Sequence, residues 1–277
     1  MGHSLRFEVN CSILFTDLPL LERPRAAKDA GFDAVEFWWP FPEAVPAQAE
    51  VDAFVSALQD ADVRLVGLNF FAGDMPGGDR GLVSWVGREQ EFRDNVALVT
   101  EIGVRTGCRA FNALYGNRID GVDPGAQDDL GAANLAHAAE SVARIGGTVL
   151  VEAVSGPQPY PLRTAADAFA VIDRVGAPNV RFLADLFHLA MNSTVNGRID
   201  GNGLDKVIDE YADRTAHVQI ADAPGRHEPG SGDLAVDAAL ARLERVGYRG
   251  WVGLEYVPST TTVESFAWLP RERRSGK

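Results

Sequence analysis

TVLVEA (148–153) puts a glutamate, Glu152, at the downstream end of a short apolar run, and this ending recurs three times. Asp185 closes VRFLAD (180–185), Gln219 lies near the end of AHVQIAD (216–222), and Glu255 lies near the end of WVGLEY (251–256). Successive members are 33, 34 and 36 positions apart. Such an interval accommodates one strand, one crossover helix and two loops. If the four runs are parallel neighbours in a closed barrel, their C-terminal ends meet around one axis. Three carboxylates placed there repel one another unless positive charge sits among them. Oxygen donors of this kind suit a divalent cation.

The same alternation runs through the chain. Apolar runs predict eight strands, near 6–14, 34–39, 64–71, 110–114, 148–153, 180–185, 216–221 and 251–256. Between them, helical spacing of apolar residues predicts helices near 18–30, 47–60, 88–106, 131–145, 164–175, 204–213 and 236–246, with a last one after residue 262. Glycines at 31, 107, 146, 176 and 247 stand where helices should end in the left-handed conformation. Strict alternation with runs apolar throughout implies a parallel sheet covered on both faces, and eight units imply closure: an α/β fold, a single (β/α)8 TIM barrel over residues 1–277 with a C-terminal tail from about 259. The opening Met-Gly-His-Ser is set aside from this reading.

The chain has 277 residues, 46% of them hydrophobic, enough for one large core. A net charge of −13 opposes binding to a phosphate backbone, so no nucleic-acid partner is expected. Cys11 and Cys108 lie in apolar runs and read as reduced core thiols of a cytoplasmic protein; no membrane partner is expected, and homo-oligomer formation is left open. Two long loops, 72–87 and 222–233, follow the third and seventh strands on the face where the four polar residues gather. His188 follows Asp185 by three and is placed to reach a substrate or orient a ligand. His217 points to the same side as Gln219, one layer deeper. Arg226, just beyond Gln219, offers the planar pairing that an anionic substrate prefers. A cation flanked by two glutamates suits proton transfer between adjacent carbons through an enediolate.

With these residues in view, the sequence resembles the hydroxypyruvate isomerase family, within the xylose isomerase-like barrel superfamily. The likeness covers nearly the whole chain. It is carried by NCSILF (10–15), GFDAVEFWWPF (31–41), NFFAGDMPGGDRG (69–81), VGREQEFRDNV (86–96), ADLFH (184–188), HVQIADAPGRHEPGSGD (217–233) and GYRGWVGLEYVPSTTT (247–262). The resemblance implies that Glu152 and Glu255 transfer the proton. It implies that Glu152, Asp185, Gln219 and Glu255 bind a divalent metal ion, Mg²⁺ or Mn²⁺, and that His188, Arg226 and Asn69 contact a small hydroxy-oxo acid. The implied reaction converts hydroxypyruvate to 2-hydroxy-3-oxopropanoate. Where the family often reads Glu-Pro-Ile-Asn, this chain has Glu152-Ala153-Val154-Ser155, and Val257 stands where a lysine is common. Rival readings keep the fold: a sugar or sugar-acid epimerase or isomerase (tagatose 3-epimerase-like or 2-oxo-tetronate isomerase-like), whose pocket Trp38, Trp39, Phe70 and Phe71 would line; an inosose dehydratase; an endonuclease IV-like phosphodiesterase; or a non-catalytic sugar-binding relative.

Overall fold

The predicted strands hydrogen-bond in one continuous circle. The computed structural model describes residues 2–156, 159–195, 198–199 and 201–275. Its strands β1 (Arg6–Asn10), β2 (Ala34–Phe37), β3 (Arg64–Asn69), β4 (Ala110–Asn112), β5 (Thr148–Glu152), β6 (Val180–Asp185), β9 (Thr215–Ile220) and β10 (Trp251–Leu254) pair in parallel, and β10 returns to β1 to close the barrel. Val180–Asp185 matches its apolar run residue for residue, while several other strands are shorter than theirs. Helices α1 (Arg23–Asp29), α2 (Gln48–Ala61), α3 (Glu89–Thr106), α4 (Pro124–Ala143), α5 (Ala165–Val175), α7 (Gly201–Tyr211) and α8 (Val236–Arg245) surround it. No described helix is long and apolar enough to cross a membrane.

Helix α2 shows why these segments are helical. Its buried residues Val51, Phe54, Val55 and Leu58 fall three or four apart and face the sheet, where Phe54 meets Phe37 edge-on with ring centres 5.1 Å apart. Helix α5 begins at a reciprocal cap: Thr164 Oγ1 accepts from Asp167 N, and Asp167 Oδ2 accepts from Thr164 N. The five anticipated cap glycines all take positive φ. The core is aromatic around the barrel wall, and both cysteines are buried and unbonded.

Three expectations need correction. Helix α4 starts at Pro124, not near 131. Asp123 caps it by accepting from Ala126 N at 3.0 Å, a start signal hidden by the glycines that follow. Gly131 lies inside that helix because it faces Tyr115, whose Oη would stand 2.8 Å from an added Cβ. An extra helix, α6 (Leu186–Asn192), follows β6 directly, and a short hairpin, β7 (Thr194–Val195) with β8 (Arg198–Ile199), precedes α7. The N-terminal residues are not idle: His3 is buried and lies edge-on to Phe7.

The tail folds back onto the barrel. Short helix α9 (Thr262–Ser265) leads into a turn that seats Phe266 against Phe32 at 4.9 Å, fully buried, while Arg274 Nη1 donates to Ala30 O. Replacing Phe266 with Ala should therefore cost about 3–5 kcal/mol of unfolding free energy in urea titration. A loss below about 1 kcal/mol would show that the tail does not belong to the core.

Candidate active site

Parallel register aligns the four strand ends. Glu152 pairs with Leu183, Asp185 sits beside Gln219, and Gln219 sits beside Gly253, two residues before Glu255. Carboxylate oxygens of Glu152, Asp185 and Glu255 and a ring nitrogen of His188 lie within 4.8 Å of one another, all buried. Helix α6 explains how Asp185 is aimed. Its Oδ1 caps that helix by accepting from Phe187 N at 2.8 Å, which turns Oδ2 into the cluster, where it has no hydrogen-bond partner. Gln219 is fixed similarly. Its Nε2 donates to Glu36 Oε1 at 2.7 Å and to Glu255 Oε1 at 3.2 Å. Ionised carboxylates only accept, so the amide nitrogen must face them. Oε1 is left buried without a donor. Buried oxygens without donors, set among further carboxylates, fit a hard divalent cation.

The remaining groups brace this set. Asn112 Nδ2 donates to Glu152 Oε2 at 2.9 Å. Glu255 accepts from Trp38 Nε1 (2.6 Å), Asn10 Nδ2 (3.0 Å) and Arg226 Nη2 (2.5 Å). Arg226 Nη2 also lies 3.5 Å from Asp185 Oδ2. Its loop is tied by the buried Asp222, which accepts from the backbone N–H of Gly230 and Leu234. His188 Nδ1 accepts from Ser155 N at 3.1 Å, so its proton sits on Nε2, 3.6 Å from Asp185 Oδ2 and 3.8 Å from Glu152 Oε1. The set opens into a cleft of about 1060 Å³ that Asn69, His188 and Arg226 line, together with Trp38, Trp39, Phe70 and Phe71.

The whole chain can now be set beside known proteins. Residues 24–272 match the model of the xylose isomerase-like TIM barrel. The chain belongs to that family. A Streptomyces coelicolor protein provisionally named a hydroxypyruvate isomerase is 52% identical over 281 residues, covering 98% of each chain. A 2-oxo-tetronate isomerase of Pectobacterium atrosepticum is 31% identical, covering 95% of this chain and 96% of its own. A solved structure described as an AP endonuclease, family 2, from Brucella melitensis superposes with a TM-score of 0.84 at 35% identity, over 95% of this chain and 97% of the other.

Within this family barrel, a deeper polar layer carries the site. His217 Nε2 lies 2.8 Å from Glu36 Oε2 and 3.5 Å from Glu8 Oε1. A Cβ at residue 253 would stand 2.6 Å from Glu8 Oε1 and 2.7 Å from Glu36 Oε1, so only glycine leaves these carboxylates room. The deeper placement expected for His217 is what the structure shows. The structure adds Asn10, Glu36, Asn112 and Ser155 to the site and makes Trp38 a hydrogen-bond donor as well as an aromatic wall. Asn10 and Asn112 end strands as Glu152 does, and Glu36 is a charge inside an apolar run; these were the available signals.

Burial sets the proton affinities. It pushes Glu152 up to about 8, helped by the charge of Asp185 and opposed by Asn112. It lowers His188 to about 4 against the pull of Asp185. Burial would also lower His217, but Glu36 and then Glu8 push it up to about 10. A group whose affinity rises on folding stabilises the fold at low pH and loses that contribution as pH climbs through its folded value. Glu152 and His217 act in this sense. His188 acts oppositely, but only below its ordinary value of 6.5. Between pH 6.5 and about 8, the protein in EDTA should lose Tm as pH rises, on the order of a few °C. Saturating Mn²⁺ should flatten the fall by neutralising Glu152. A Tm that climbs across that window in EDTA would refute this electrostatic description.

Proposed function

We propose that the protein is a metal-dependent aldose–ketose isomerase that converts hydroxypyruvate to 2-hydroxy-3-oxopropanoate. The observation that carries this reading is the pair of buried glutamates, Glu152 and Glu255, that line one cleft and cluster with Asp185, whose Oδ2 has no hydrogen-bond partner. Full-length identity to the Streptomyces coelicolor protein supports the substrate.

Glu152, Asp185, Gln219 and Glu255 would hold the ion, Mg²⁺ or Mn²⁺ by their oxygen donors. When bound, it supplies positive charge that polarises the substrate carbonyl and makes the neighbouring C–H acidic. One glutamate takes the proton from C3 of hydroxypyruvate, and the same glutamate or its partner returns a proton to C2. The hydroxyl proton passes from O3 to O2, so the reaction balances without a redox partner. Raising Glu152 toward neutrality suits it to carry a proton both ways. Arg226 and Trp38 hold Glu255 so that it faces the cleft. His188, neutral with its proton on Nε2, is placed to donate to a substrate oxygen, and Asn69 to meet a hydroxyl. The ring position is kept by Ser155, which replaces the asparagine more common there.

A second reading keeps this chemistry with a four-carbon acid. The cleft is roomier than a three-carbon substrate needs, and the Pectobacterium relative is named for a 2-oxo-tetronate. Strand cleavage of damaged DNA, as the Brucella structure's description would have it, is disfavoured by the net charge of −13.

Glu152→Gln and Glu255→Gln each keep an oxygen ligand while removing the proton carrier. Each should lower kcat at least about 100-fold on hydroxypyruvate, measured by formation of 2-hydroxy-3-oxopropanoate, and should slow deuterium uptake from solvent in step. Near wild-type turnover in either variant would contradict the proton-transfer assignment.

A further inference from the structure

The cleft contains four arginines, and they differ in what already engages them. Arg226 is committed to Glu255 and Asp185. Arg88 is committed to Glu91 at 2.7 Å and Asp79 at 3.2 Å. Arg23 and Arg80 have no carboxylate within ion-pair distance among the described residues. Both bond only to main-chain carbonyls. Arg23 uses Nε on Leu18 O (3.0 Å) and Nη1 on Cys11 O (2.9 Å). Arg80 is anchored through Nη1 alone, to Met75 O (2.9 Å) and Asp79 O (2.6 Å). Its Nε and Nη2 are therefore unengaged, and these two N–H groups form the parallel pair that a carboxylate accepts side on. In Arg23 that edge is already occupied.

Charge balance says why such a group is needed. With a divalent ion bound, the ionised forms of Glu152, Asp185 and Glu255 would be matched by that ion and the single guanidinium of Arg226. Nothing in that set is left to meet a carboxylate brought in by the substrate, which would enter an acidic chain unaided. Arg80 sits on the glycine-rich loop 72–87 and lines the same cleft as Asn69, Glu152 and Glu255. The loop is braced by its own bonds. Asp79 Oδ2 accepts from Asp74 N (2.8 Å) and pairs with Arg88, and Gly81 N donates to Ala72 O (2.9 Å). The guanidinium is thus held before any ligand arrives, which lowers the entropic cost of binding.

We propose that Arg80 binds the substrate's carboxylate and so selects small oxo-acids over uncharged sugars. The inference rests on the isomerase reading and fits three- and four-carbon acids alike. It is tested with Arg80→Gln and Arg80→Lys beside Arg23→Gln, all metal-loaded. Hydroxypyruvate is the acid, and dihydroxyacetone, which carries CH2OH in place of the carboxylate, is the neutral counterpart, followed as substrate or competitive inhibitor. Arg80→Gln should raise KM for hydroxypyruvate roughly 30- to 100-fold with a much smaller change in kcat, the scale of a charge-assisted pair of hydrogen bonds. The preference for hydroxypyruvate over dihydroxyacetone should collapse by a similar factor, and lysine should restore part of it. Equal losses on both ligands would mean that the loop had merely been disturbed, and would overturn the assignment. So would an unchanged KM, or a selective loss that appears in Arg23→Gln instead. Inactivity of the wild-type enzyme on hydroxypyruvate would instead remove the functional reading itself, and this inference with it.

Discussion

Three buried carboxylates gathered with one guanidinium, Arg226, paired to two of them are an electrostatic problem that the rest of this barrel is arranged to contain. Within 4.8 Å of one another, Glu152, Asp185 and Glu255 cannot all stay ionised without compensation, because burial strengthens their repulsion as much as it strengthens any attraction. The answer is a shell of donors: Asn112 on Glu152, the α6 backbone on Asp185, and Trp38, Asn10, Gln219 and Arg226 on Glu255. Two oxygens, Asp185 Oδ2 and Gln219 Oε1, are left out of that shell and face inward. Buried acceptors without a donor, set among further carboxylates, are what a bound cation would satisfy.

Support for this arrangement runs down the barrel axis. Glu36 holds Gln219 by its amide nitrogen and is itself held by His217, while Gly253 leaves space for Glu36 and Glu8 to stand beside the strand. The orientation of Gln219 is thus set from the layer below, in rigid strands rather than in loops. The loops contribute the variable part. Loop 222–233 carries Arg226 to Glu255, and loop 72–87 lines the cleft. This division of labour suits a barrel in which a constant frame carries variable loops.

How much of this was legible beforehand follows from what strand ends advertise. Glu152, Asp185, Gln219 and Glu255 stood out because a polar residue closing an apolar run is conspicuous, and because one interval repeated. The eight strands were visible for the same reason. Asn10 and Asn112 close their strands with neutral side chains, a signal indistinguishable from an ordinary loop start. Glu36 is surrounded in sequence by phenylalanine and tryptophan, and its partner His217 is 181 residues away, so nothing local announces a buried pair. Helix α6 went unread because its leucines continue the apolar run of β6. Only the capping geometry of Asp185 separates the two, and that depends on backbone conformation. The early start of α4 was obscured by its glycines, of which Gly131 answers a tertiary contact with Tyr115.

The central claim is that these distant side chains converge on one cation. Anomalous diffraction from crystals soaked in Mn²⁺ tests it most directly. The account predicts one strong peak per chain, bonded to Glu152, Asp185, Gln219 Oε1 and Glu255, and lost in Asp185→Asn. A peak elsewhere, or none between Asp185 and Gln219 at millimolar Mn²⁺, would contradict it.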